Sequence, residues 1–502
     1  MDAVANQTTG RTSQGMPERI LSPSMAIKIL LALALAASAA VSPAPHDEWS
    51  RFRGPNGSGI SAAKDLPTEF GPEKNLVWKL DLPQGHSSPI LHRDRIYLTG
   101  FREKDLFTFA VGTDGKLLWE TKLSGLATPP VDKRNSAASP SPAVDDTGVY
   151  VFFHDFGLVA YDLQGKERWR MPLGPFINVY GMGASPIIVG DLVVLAADQS
   201  LDSYIIGVDK KTGRQRWKTA RPEAKSGHST PILWTNAQGR QEILLPGSFR
   251  LTSYDPATGD RNWWVSGLSF EMKSVPVIAR IGIRGEDTLF INGYGSGEND
   301  PGREVQAEET EKVFATSDAN KDGKLQKLEM PNKHAESWLD FMDLNKDGAL
   351  SRDEWDYYRA ALATKNGMLA IRLGGTGDMT AKNLVWQYHR SVPQLPSPLV
   401  YGGMLYMVND RGILTTLNPE SGEMLKQGRI TGLQDSFYAS PVAGDGKIYM
   451  TSEKGKIAVL RPDGNLDPVV VNDIGEDIYA TPALADGRIY VRSRNTLFAF
   501  GR

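Results

Sequence analysis

The sequence predicts an all-β fold built from one repeated unit, and three observations lead to that prediction. A short motif of small residues, then Ser or Thr, then Pro, recurs from end to end of the chain. Hairpin patterns follow the motif, and a turn with Asp and Gly followed by Trp ends several repeats. The 50 glycines and 31 prolines among 502 residues are typical of many short strands joined by turns.

The proline motif sets the length of the repeat. Its copies are SSPIL, SPAV, ASPII, STPIL, SVPVI, PSPLV, ASPVA and ATPAL, with prolines at Pro89, Pro142, Pro186, Pro231, Pro276, Pro398, Pro441 and Pro482. Successive prolines lie 53, 44, 45, 45, 122, 43 and 41 residues apart. One period of about 44 residues fits all but two of these separations, which is typical of a repeat architecture.

Each repeat has the pattern of four strands. A second apolar pair such as Ile96-Tyr97 or Ile448-Tyr449 follows the proline after a turn with Asp or Gly, which predicts a hairpin. A third strand then leads into the Asp, Gly and Trp pattern, as in VGTDGKLLWE with Trp119 and YDLQGKERWR with Trp169. Four strands in a repeat of this length form one blade of a β-propeller.

Eight copies of the motif predict eight four-stranded blades, with seven blades as the alternative if one weak copy lies outside the ring. The last repeat stops after its third strand, and the segment around residues 75–82 precedes the first repeat without a blade of its own. Joining the two closes the ring and removes exposed sheet edges. The propeller is therefore predicted over 49–297 and 367–502.

Residues 298–366 are predicted to be a small helical insertion, since the gap of 122 residues exceeds the period by about 78. Two stretches in it, 318–329 (DANKDGKLQKLE) and 343–354 (DLNKDGALSRDE), match the EF-hand calcium loop. Calcium needs six or more oxygen ligands, which this loop supplies from positions 1, 3, 5, 7, 9 and 12. Those positions are Asp318, Asn320, Asp322, Lys324 (backbone), Gln326 and Glu329, then Asp343, Asn345, Asp347, Ala349 (backbone), Ser351 and Glu354.

We therefore expect two calcium ions, the alternative being a pair of Asp/Asn/Gly turns without an ion. Lysines within the loops reduce the negative charge and favour a modest affinity suited to extracellular calcium. The short link between the loops, interrupted by Pro331, favours a structural module over an opening switch.

The beginning of the chain predicts export. From Met25, a lysine, an apolar run and the small residues Ala37-Ser38-Ala39 match a signal peptide over 25–39, which leaves 1–24 as an upstream extension from a misassigned start. The alternative, a membrane anchor, needs a longer apolar run. We expect a periplasmic or secreted protein without a membrane span after cleavage. The net charge of −3 argues against a nucleic-acid partner.

A central funnel is the expected binding site. The blade connections of a propeller place the residues just before each proline motif around the channel. Imidazole, phenol, amine and amide groups at these positions could bind a planar cofactor, a carbohydrate or other small molecule, or a protein. The alternative is that each side chain only satisfies its own turn. The candidates are His86, Asn135, Tyr180, His228, Lys273, Gln394, Tyr438 and Tyr479.

The repeats, with their Asp, Gly and Trp pattern, resemble the pyrroloquinoline-quinone-like (PQQ-like) propeller repeats of quinoprotein alcohol dehydrogenases and of the outer-membrane assembly factor B subunit. The opening WSRFRGPNGSGIS, with LPTEF and NLVWKLDLP, is similar to secreted propellers of environmental bacteria. The resemblance implies the fold, but that fold hosts enzymes and inert scaffolds alike.

The resemblance also implies what a quinone enzyme would need. Its dehydrogenases generally hold PQQ with a calcium ion, a catalytic Asp and, in many members, a disulfide of adjacent cysteines. This chain has no cysteine, and no Asp and calcium-ligand set matches. We therefore predict no catalytic residues and expect a monomeric, non-catalytic binding scaffold. The alternative is a PQQ-dependent or related oxidoreductase that uses the funnel.

Overall fold

Eight blades of four antiparallel strands, one for each proline motif, follow one another along the chain in a computed structural model, and the sheet of one blade gains a short fifth strand. It describes residues 49–128, 132–283 and 285–502, so the predicted signal peptide and upstream extension lie outside the described residues. The eight-bladed prediction is confirmed, and the seven-bladed alternative is wrong.

The strands are short, and each blade takes four of them. In chain order they are β1 (Leu76–Asp81), β2 (Ile90–His92), β3 (Arg95–Arg102), β4 (Asp105–Gly112), β5 (Leu117–Leu123), β6 (Ala143–Asp145), β7 (Gly148–Phe153), β8 (Gly157–Tyr161), β9 (Glu167–Pro172), β10 (Ile187–Val189), β11 (Leu192–Ala197), β12 (Tyr204–Asp209), β13 (Gln215–Ala220), β14 (Ile232–Thr235), β15 (Gln241–Gly247), β16 (Arg250–Tyr254), β17 (Arg261–Ser266), β18 (Val277–Ile281), β19 (Glu286–Gly293), β20 (Leu325–Gln326), β21 (Ala349–Leu350), β22 (Gly367–Arg372), β23 (Gly377–Asp378), β24 (Leu384–Tyr388), β25 (Leu399–Tyr401), β26 (Met404–Val408), β27 (Ile413–Leu417), β28 (Met424–Arg429), β29 (Val442–Gly444), β30 (Lys447–Thr451), β31 (Lys456–Leu460), β32 (Val470–Asp473), β33 (Ala483–Ala485), β34 (Arg488–Arg492) and β35 (Thr496–Phe500).

Blades are numbered by their proline motif. Blades 1 to 4 are β2–β5, β6–β9, β10–β13 and β14–β17; blade 5 is β18, β19, β22 and β24; blades 6 and 7 are β25–β28 and β29–β32; blade 8 is β33–β35 with β1. The middle strands of a blade are mostly buried because neighbouring blades cover both of their faces. All six residues of β7, for example, are buried, whereas residues of β1 alternate between half-buried and exposed.

The ring closes as the sequence predicts. Strand β1 pairs antiparallel with β35, and this places Trp78 opposite Ala499 and Leu80 opposite Leu497. The first strand of the described chain thus completes the last blade, which leaves no gap between blades 8 and 1. A closed ring has no exposed inner sheet edge along which further strands could add.

The Ser or Thr of the proline motif forms a circle of hydrogen bonds around the channel. At seven of the eight junctions, the backbone N–H of one motif donates to the side-chain hydroxyl of the next motif. The bonds run from Ser88 to Ser141 (2.9 Å), Ser141 to Ser185 (2.9 Å), Ser185 to Thr230 (3.0 Å), Val275 to Ser397 (2.9 Å), Ser397 to Ser440 (3.0 Å), Ser440 to Thr481 (3.0 Å) and Thr481 to Ser88 (2.9 Å). The junction of blades 4 and 5 lacks this bond because blade 5 has Val275 at the acceptor position.

The tryptophans of the repeat join the blades at the outside of the ring. The Trp119 indole N–H donates to the Leu163 carbonyl in the next blade (3.0 Å) and its ring lies on Gly165, where a Cβ would come within 2.6 Å of the indole. Gly165 also has φ +86°, which favours glycine. The Asp, Gly and Trp pattern is therefore a contact between blades. Trp78, Trp169, Trp217 and Trp386 make the same hydrogen bond to their next blades.

A helical insertion separates β19 from β22 in blade 5. Its helices are α1 (Thr310–Ser317), α2 (Lys333–Met342) and α3 (Arg352–Ala363), and a fourth helix of the chain, α4 (Thr380–Asn383), follows β23. Asn332 and Ser351 cap α2 and α3 by accepting backbone N–H bonds. Leu325 in β20 pairs with Leu350 in β21, and this joins the two loops.

The segment from Trp49 to Gly59 crosses the channel on the far side of the hydroxyl circle. Its backbone bonds to the inner strands of three blades: Trp49 O accepts from Leu91 N (2.9 Å), Ser50 O from Val144 N (2.9 Å) and Gly59 O from Ala443 N (2.8 Å). These partners belong to blades 1, 2 and 7. We call residues 49–59 the plug, because they span the ring and close this end of the channel.

No helix among the described residues combines the length and the apolar character that a membrane crossing requires.

Removing one hydroxyl from the circle should destabilise the whole propeller. Thr481→Val keeps the shape of the side chain but leaves the buried Ser440 N–H without its acceptor. A buried unsatisfied donor costs about 1–3 kcal/mol, so we expect the free energy of unfolding to fall by that amount in urea denaturation. Thr235→Val, at an exposed position in β14, is the matched control and should change it by less than about 0.5 kcal/mol. Equal effects of the two substitutions would contradict a structural role for the circle.

Candidate ligand-binding funnel

A cavity of about 170 Å³ lies at the mouth of the channel, on the side opposite the plug. Seven of the eight residues proposed from the sequence line it: His86, Asn135, Tyr180, His228, Lys273, Tyr438 and Tyr479. They meet there because each precedes a proline motif, and those motifs start the innermost strands. Gln394 does not line the cavity, but its side-chain oxygen accepts from Arg134 Nη1 (3.1 Å), which does.

Two kinds of side chain form the floor of the funnel: the hydroxyl residues of the circle and the aromatic ring of Phe52. Hydroxyl-bearing residues of the circle, among them Ser88, Ser397 and Thr481, contribute to the lining. Phe52 of the plug also lines the cavity from below. The funnel is therefore separated from the far end of the channel by the plug.

One wall is a stack of three aromatic rings. The His86 and Tyr479 rings lie 4.3 Å apart between centroids and are within 10° of parallel, and the Tyr438 ring follows at 5.7 Å and 7°. The Tyr479 hydroxyl donates to Glu453 (3.0 Å), which fixes its orientation. The middle ring, Tyr479, is covered on both faces, so the stack has only the outer faces of His86 and Tyr438 and the ring edges left for a ligand.

The charged groups of the rest of the wall are paired. Arg134 donates to Asp132 through two nitrogens, with Nη2 at 2.7 Å, and this bond holds the pKa of Asp132 below its usual value. Lys273 bonds the Glu271 carboxylate and also the Tyr294 carbonyl (3.2 Å). Each pair combines one negative and one positive group, so these two pairs together carry no net charge.

Burial keeps both funnel histidines neutral. It lowers the pKa of His86 to about 4 and that of His228 to about 3, and the nearby Lys273 and Arg134 lower the latter further. The Nδ1 atom of His86 and the Nε2 atom of His228 are buried without a hydrogen-bond partner in the protein. Neither nitrogen reaches the surface of the cavity, so the two histidines contribute neutral rings to the wall at neutral pH.

The helical insertion packs beside the mouth of the funnel. Phe341 of α2 contacts Tyr180 of the funnel wall (6.1 Å between ring centroids) and Phe270 (5.9 Å). Tyr357 of α3 contacts Phe249 in the loop between β15 and β16 (5.7 Å). The insertion is thus fixed by aromatic contacts to blade 4 and to the connections that border the funnel.

The two twelve-residue loops of the insertion have the same local structure. Asp318 accepts from Gly323 N (3.0 Å), and Asp343 accepts from Gly348 N (2.8 Å) at the equivalent positions. In both loops the glutamate at position 12 accepts from backbone N–H groups near the start of its loop, as Glu329 does from Ala319 N (3.0 Å). The position-12 carboxylates therefore cap the loops.

Within the described ranges, no three Asp, Glu or His side chains converge closely enough to hold a metal ion. The ligand positions of each loop include only three acidic side chains, since Asn320 and Asn345 occupy position 3. Lys324 Nζ of the first loop also donates to Asp347 Oδ2 of the second (2.5 Å), so this carboxylate oxygen already has a cationic partner.

The funnel itself does not fit a calcium-bound quinone. Such a cofactor needs free carboxylate oxygens for the ion. The carboxylates of Asp132 and Glu271 are already engaged. Asp132 bonds Arg134, and Glu271 bonds Lys273. Asp410, a further buried carboxylate near this wall, accepts from the Gln394 backbone (3.0 Å), and burial raises its pKa.

Several funnel residues were missed by the sequence analysis. In each of the ion pairs Asp132–Arg134 and Glu271–Lys273, an acid and a base lie two residues apart just before a proline motif. The sequence therefore contains a local signal for Asp132, Arg134 and Glu271 as well as for the predicted Lys273. Phe52 carries no such signal, because it reaches the funnel from a segment outside the repeats.

Comparison with known proteins agrees with this architecture. The sequence family described as "Outer membrane protein assembly factor BamB" matches residues 71–179, 174–295 and 351–502. No curated protein sequence matches the chain.

Among solved structures, BamB from Moraxella catarrhalis is 13% identical, with a TM-score of 0.52, and the match covers 85% of this chain and 97% of that one. A europium-containing methanol dehydrogenase is 9% identical (TM-score 0.61, covering 92% and 99%). The quinohemoprotein alcohol dehydrogenase ADHIIG from Pseudomonas putida HK5 is 14% identical (TM-score 0.54, covering 91% and 80%). At these identities the likeness establishes the fold alone.

The neutral histidines make stability depend on pH. In the unfolded chain a histidine takes up a proton near pH 6.5, whereas in the folded protein His86 and His228 do so only near pH 4 and 3. The free energy of unfolding that the two neutral histidines contribute is complete above pH 6.5. It is lost as the pH falls toward 4. We expect each histidine to lower the free energy of unfolding by about 2 kcal/mol when the pH is lowered from 7.5 to 5.

Urea denaturation at several pH values measures this effect. The double variant His86→Gln, His228→Gln should show a smaller loss of stability than the unmodified protein over the same range. If both proteins lose the same free energy on acidification, the histidines are not buried as described.

Proposed function

Because the chain belongs to the family described as "Outer membrane protein assembly factor BamB", we propose that it is an exported propeller that binds its ligand in the funnel without chemical catalysis. The observation that carries this proposal is the composition of the funnel wall. An aromatic stack lies beside charged groups that are already paired with one another. This wall suits recognition of a neutral ligand more than the transfer of protons or electrons.

The wall favours a carbohydrate. The apolar face of a sugar ring packs on stacked aromatic rings, and its hydroxyls are both donors and acceptors. The hydroxyls of the circle that line the cavity offer matching partners. A ligand with net charge would have no unpaired opposite charge in this wall.

The same features argue against acid–base catalysis. A general acid or base is most efficient when its pKa lies near the working pH. Burial places the pKa of both funnel histidines far below neutrality, and it raises that of Tyr180. Asp132 is held in an ion pair that lowers its pKa.

Binding of the full exported protein to immobilised mono- and oligosaccharides tests the proposal. For a saccharide that binds, Tyr438→Ala should weaken affinity about three- to ten-fold through the lost stacking contact. Tyr388→Ala is the matched control, since the Tyr388 hydroxyl bonds Gln427 on the outer strands of the ring. Binding of no saccharide, or equal effects of the two variants, would contradict a carbohydrate site.

The alternative is a PQQ-dependent oxidoreductase. It predicts a quinone absorbance band that remains with the protein after gel filtration with PQQ and calcium, together with reduction of a dye by an alcohol or sugar. Retained quinone with dye reduction would replace the binding proposal by this one.

We further propose that the insertion is an EF-hand pair that binds two calcium ions. Support comes from the shared loop structure, the paired strands β20 and β21, and glycines at position 6 with φ +81° at Gly323 and +88° at Gly348. The ligands would be the residues named from the sequence, with Glu329 and Glu354 turning from the backbone N–H groups to the ion. Calcium here would hold the loops and the helices that border the funnel.

One lysine should weaken calcium binding in the second loop. Lys324 pairs with Asp347, the position-5 ligand, and the pair must open for the ion. Exposed pairs contribute about 0.2–1 kcal/mol, so Lys324→Gln should tighten calcium binding by up to about five-fold in calorimetry. Lys312→Gln, in α1 and paired with Glu308 outside the loops, is the control. No heat with millimolar calcium would overturn the EF-hand assignment.

Export is part of the proposal and rests on the signal-like segment over 25–39 and on the family described above. N-terminal sequencing of the mature protein should give a start shortly after residue 39. A start upstream of Met25 would contradict it.

A further inference from the structure

We propose that the saccharide bound in the funnel carries an anionic group, a carboxylate or a sulfate ester, which lies in a side pocket lined by Lys133 and Arg494. The inference rests on the proposed carbohydrate function and narrows its ligand to acidic saccharides. Three observations carry it: the side pocket shares lining residues with the funnel, its two cations have no acidic partner, and its lining contains no carboxylate.

The side pocket adjoins the funnel. It has a volume of about 210 Å³, and both Lys133 and Arg494 line it. His86 and Asn135 line the side pocket and the funnel alike. A water molecule takes about 30 Å³ in the liquid, so the side pocket has room for a carboxylate or a sulfate group together with some water. A ligand in the funnel can therefore place a substituent there.

The pocket lies where blades 8, 1 and 2 meet. Lys133 precedes the second proline motif, and Arg494 lies in the turn between β34 and β35. The backbone fixes this turn, because Arg494 N donates to the Asp477 carbonyl (3.1 Å) and Arg494 O accepts from Gly85 N (3.1 Å). The Asp477 carboxylate itself pairs with Lys454 (3.2 Å). The Arg494 side chain thus projects from an anchored backbone.

The two cations of the side pocket have no partner of opposite charge. Lys133 and Arg494 are both exposed, and neither side chain forms an ion pair or a hydrogen bond within residues 49–128, 132–283 and 285–502. No Asp or Glu is among the described residues that line the pocket. Asp132, the acid next to Lys133 in sequence, bonds Arg134 instead (2.7 Å). The pocket therefore carries two positive charges that a ligand can use.

The funnel and the side pocket offer a ligand different chemistry. In the funnel wall Arg134 and Lys273 are paired with acids, so an anionic group would find no free cation there. The sugar ring suits the funnel, and the acid suits the side pocket, where the Gln84 amide adds N–H donors. Exposed ion pairs contribute little each and weaken with salt. The two cations together should favour an acidic over a neutral saccharide by about two- to twenty-fold.

Calorimetric titration of the full exported protein with matched saccharides tests the inference. Oligogalacturonate and its methyl ester differ only in the charge of the carboxylate, and a sulfated galactan oligosaccharide with its unsulfated parent gives the same comparison for sulfate. At low salt we expect an acidic member to bind about two- to twenty-fold tighter than its neutral partner. This ratio should fall toward one as the ionic strength is raised to about 0.5 M.

A charge-matched pair of variants locates the effect. The double variant Lys133→Gln, Arg494→Gln should bring the affinity for the acid close to that for its neutral partner. The control is Lys211→Gln, Arg214→Gln, which removes two exposed cations from the turn between β12 and β13 and should keep the preference.

Two results would overturn the inference and leave the carbohydrate function standing: equal binding of acidic and neutral forms, or a preference that survives in the Lys133→Gln, Arg494→Gln variant. Failure of every saccharide, neutral or acidic, to bind would overturn the proposed function and the side-pocket inference with it.

Discussion

The circle of hydrogen bonds between the Ser and Thr hydroxyls of successive blades is the constraint on which the rest of the structure depends. Each bond joins the backbone of one innermost strand to the side chain of the next, as from Ser440 to Thr481 (3.0 Å), and so fixes the radius of the channel. A hydroxyl on a short side chain suits this position because it accepts the bond without filling the channel. The following proline has no N–H, and its carbonyl stays free for the arginines of the plug. In this dipeptide, the Ser or Thr joins neighbouring blades and lines the floor of the funnel. The Pro carbonyl bonds the arginines of the plug.

The weakest part of the circle coincides with the insertion. Val275 cannot accept the bond from Thr230, and Trp263 of blade 4 bonds Glu242 in its own blade (2.8 Å) instead of reaching blade 5. Other contacts join these two blades. Ser229 donates to the Ser274 carbonyl (2.7 Å), and β23 after the third strand of blade 5 adds to β17 in parallel. The insertion packs across the same region through Phe270. The chain thus replaces a repeated interaction by local ones where the repeat itself is interrupted.

The fold could be predicted from the sequence because propeller blades are local. Most strands pair with their neighbours in sequence, so the period and the turns determine eight blades, and the unpaired pattern near Trp78 determines the closure with β35. Seven funnel residues followed from their position before the motif.

The plug could not be predicted, because its contacts, such as Arg53 with Pro441, join residues far apart in sequence and leave no periodic pattern. Nor does a sequence motif tell whether Glu329 caps its loop or faces an ion, since both roles need the same carboxylate at the same position.

The distribution of charge divides the channel into two environments. In the funnel each acid has a base two residues away in sequence, so that wall can face solvent and a neutral ligand at no electrostatic cost. Below the circle the plug brings two guanidinium groups and no acid. If the plug served only to close the channel, apolar side chains would fill the space with less desolvation. Arginine offers what they lack, namely several N–H donors that bond the proline carbonyls left free by the motif and still have donors to spare. The composition of the plug is therefore explained by the carbonyls of the ring, which a side chain with several N–H donors can satisfy and an apolar one cannot.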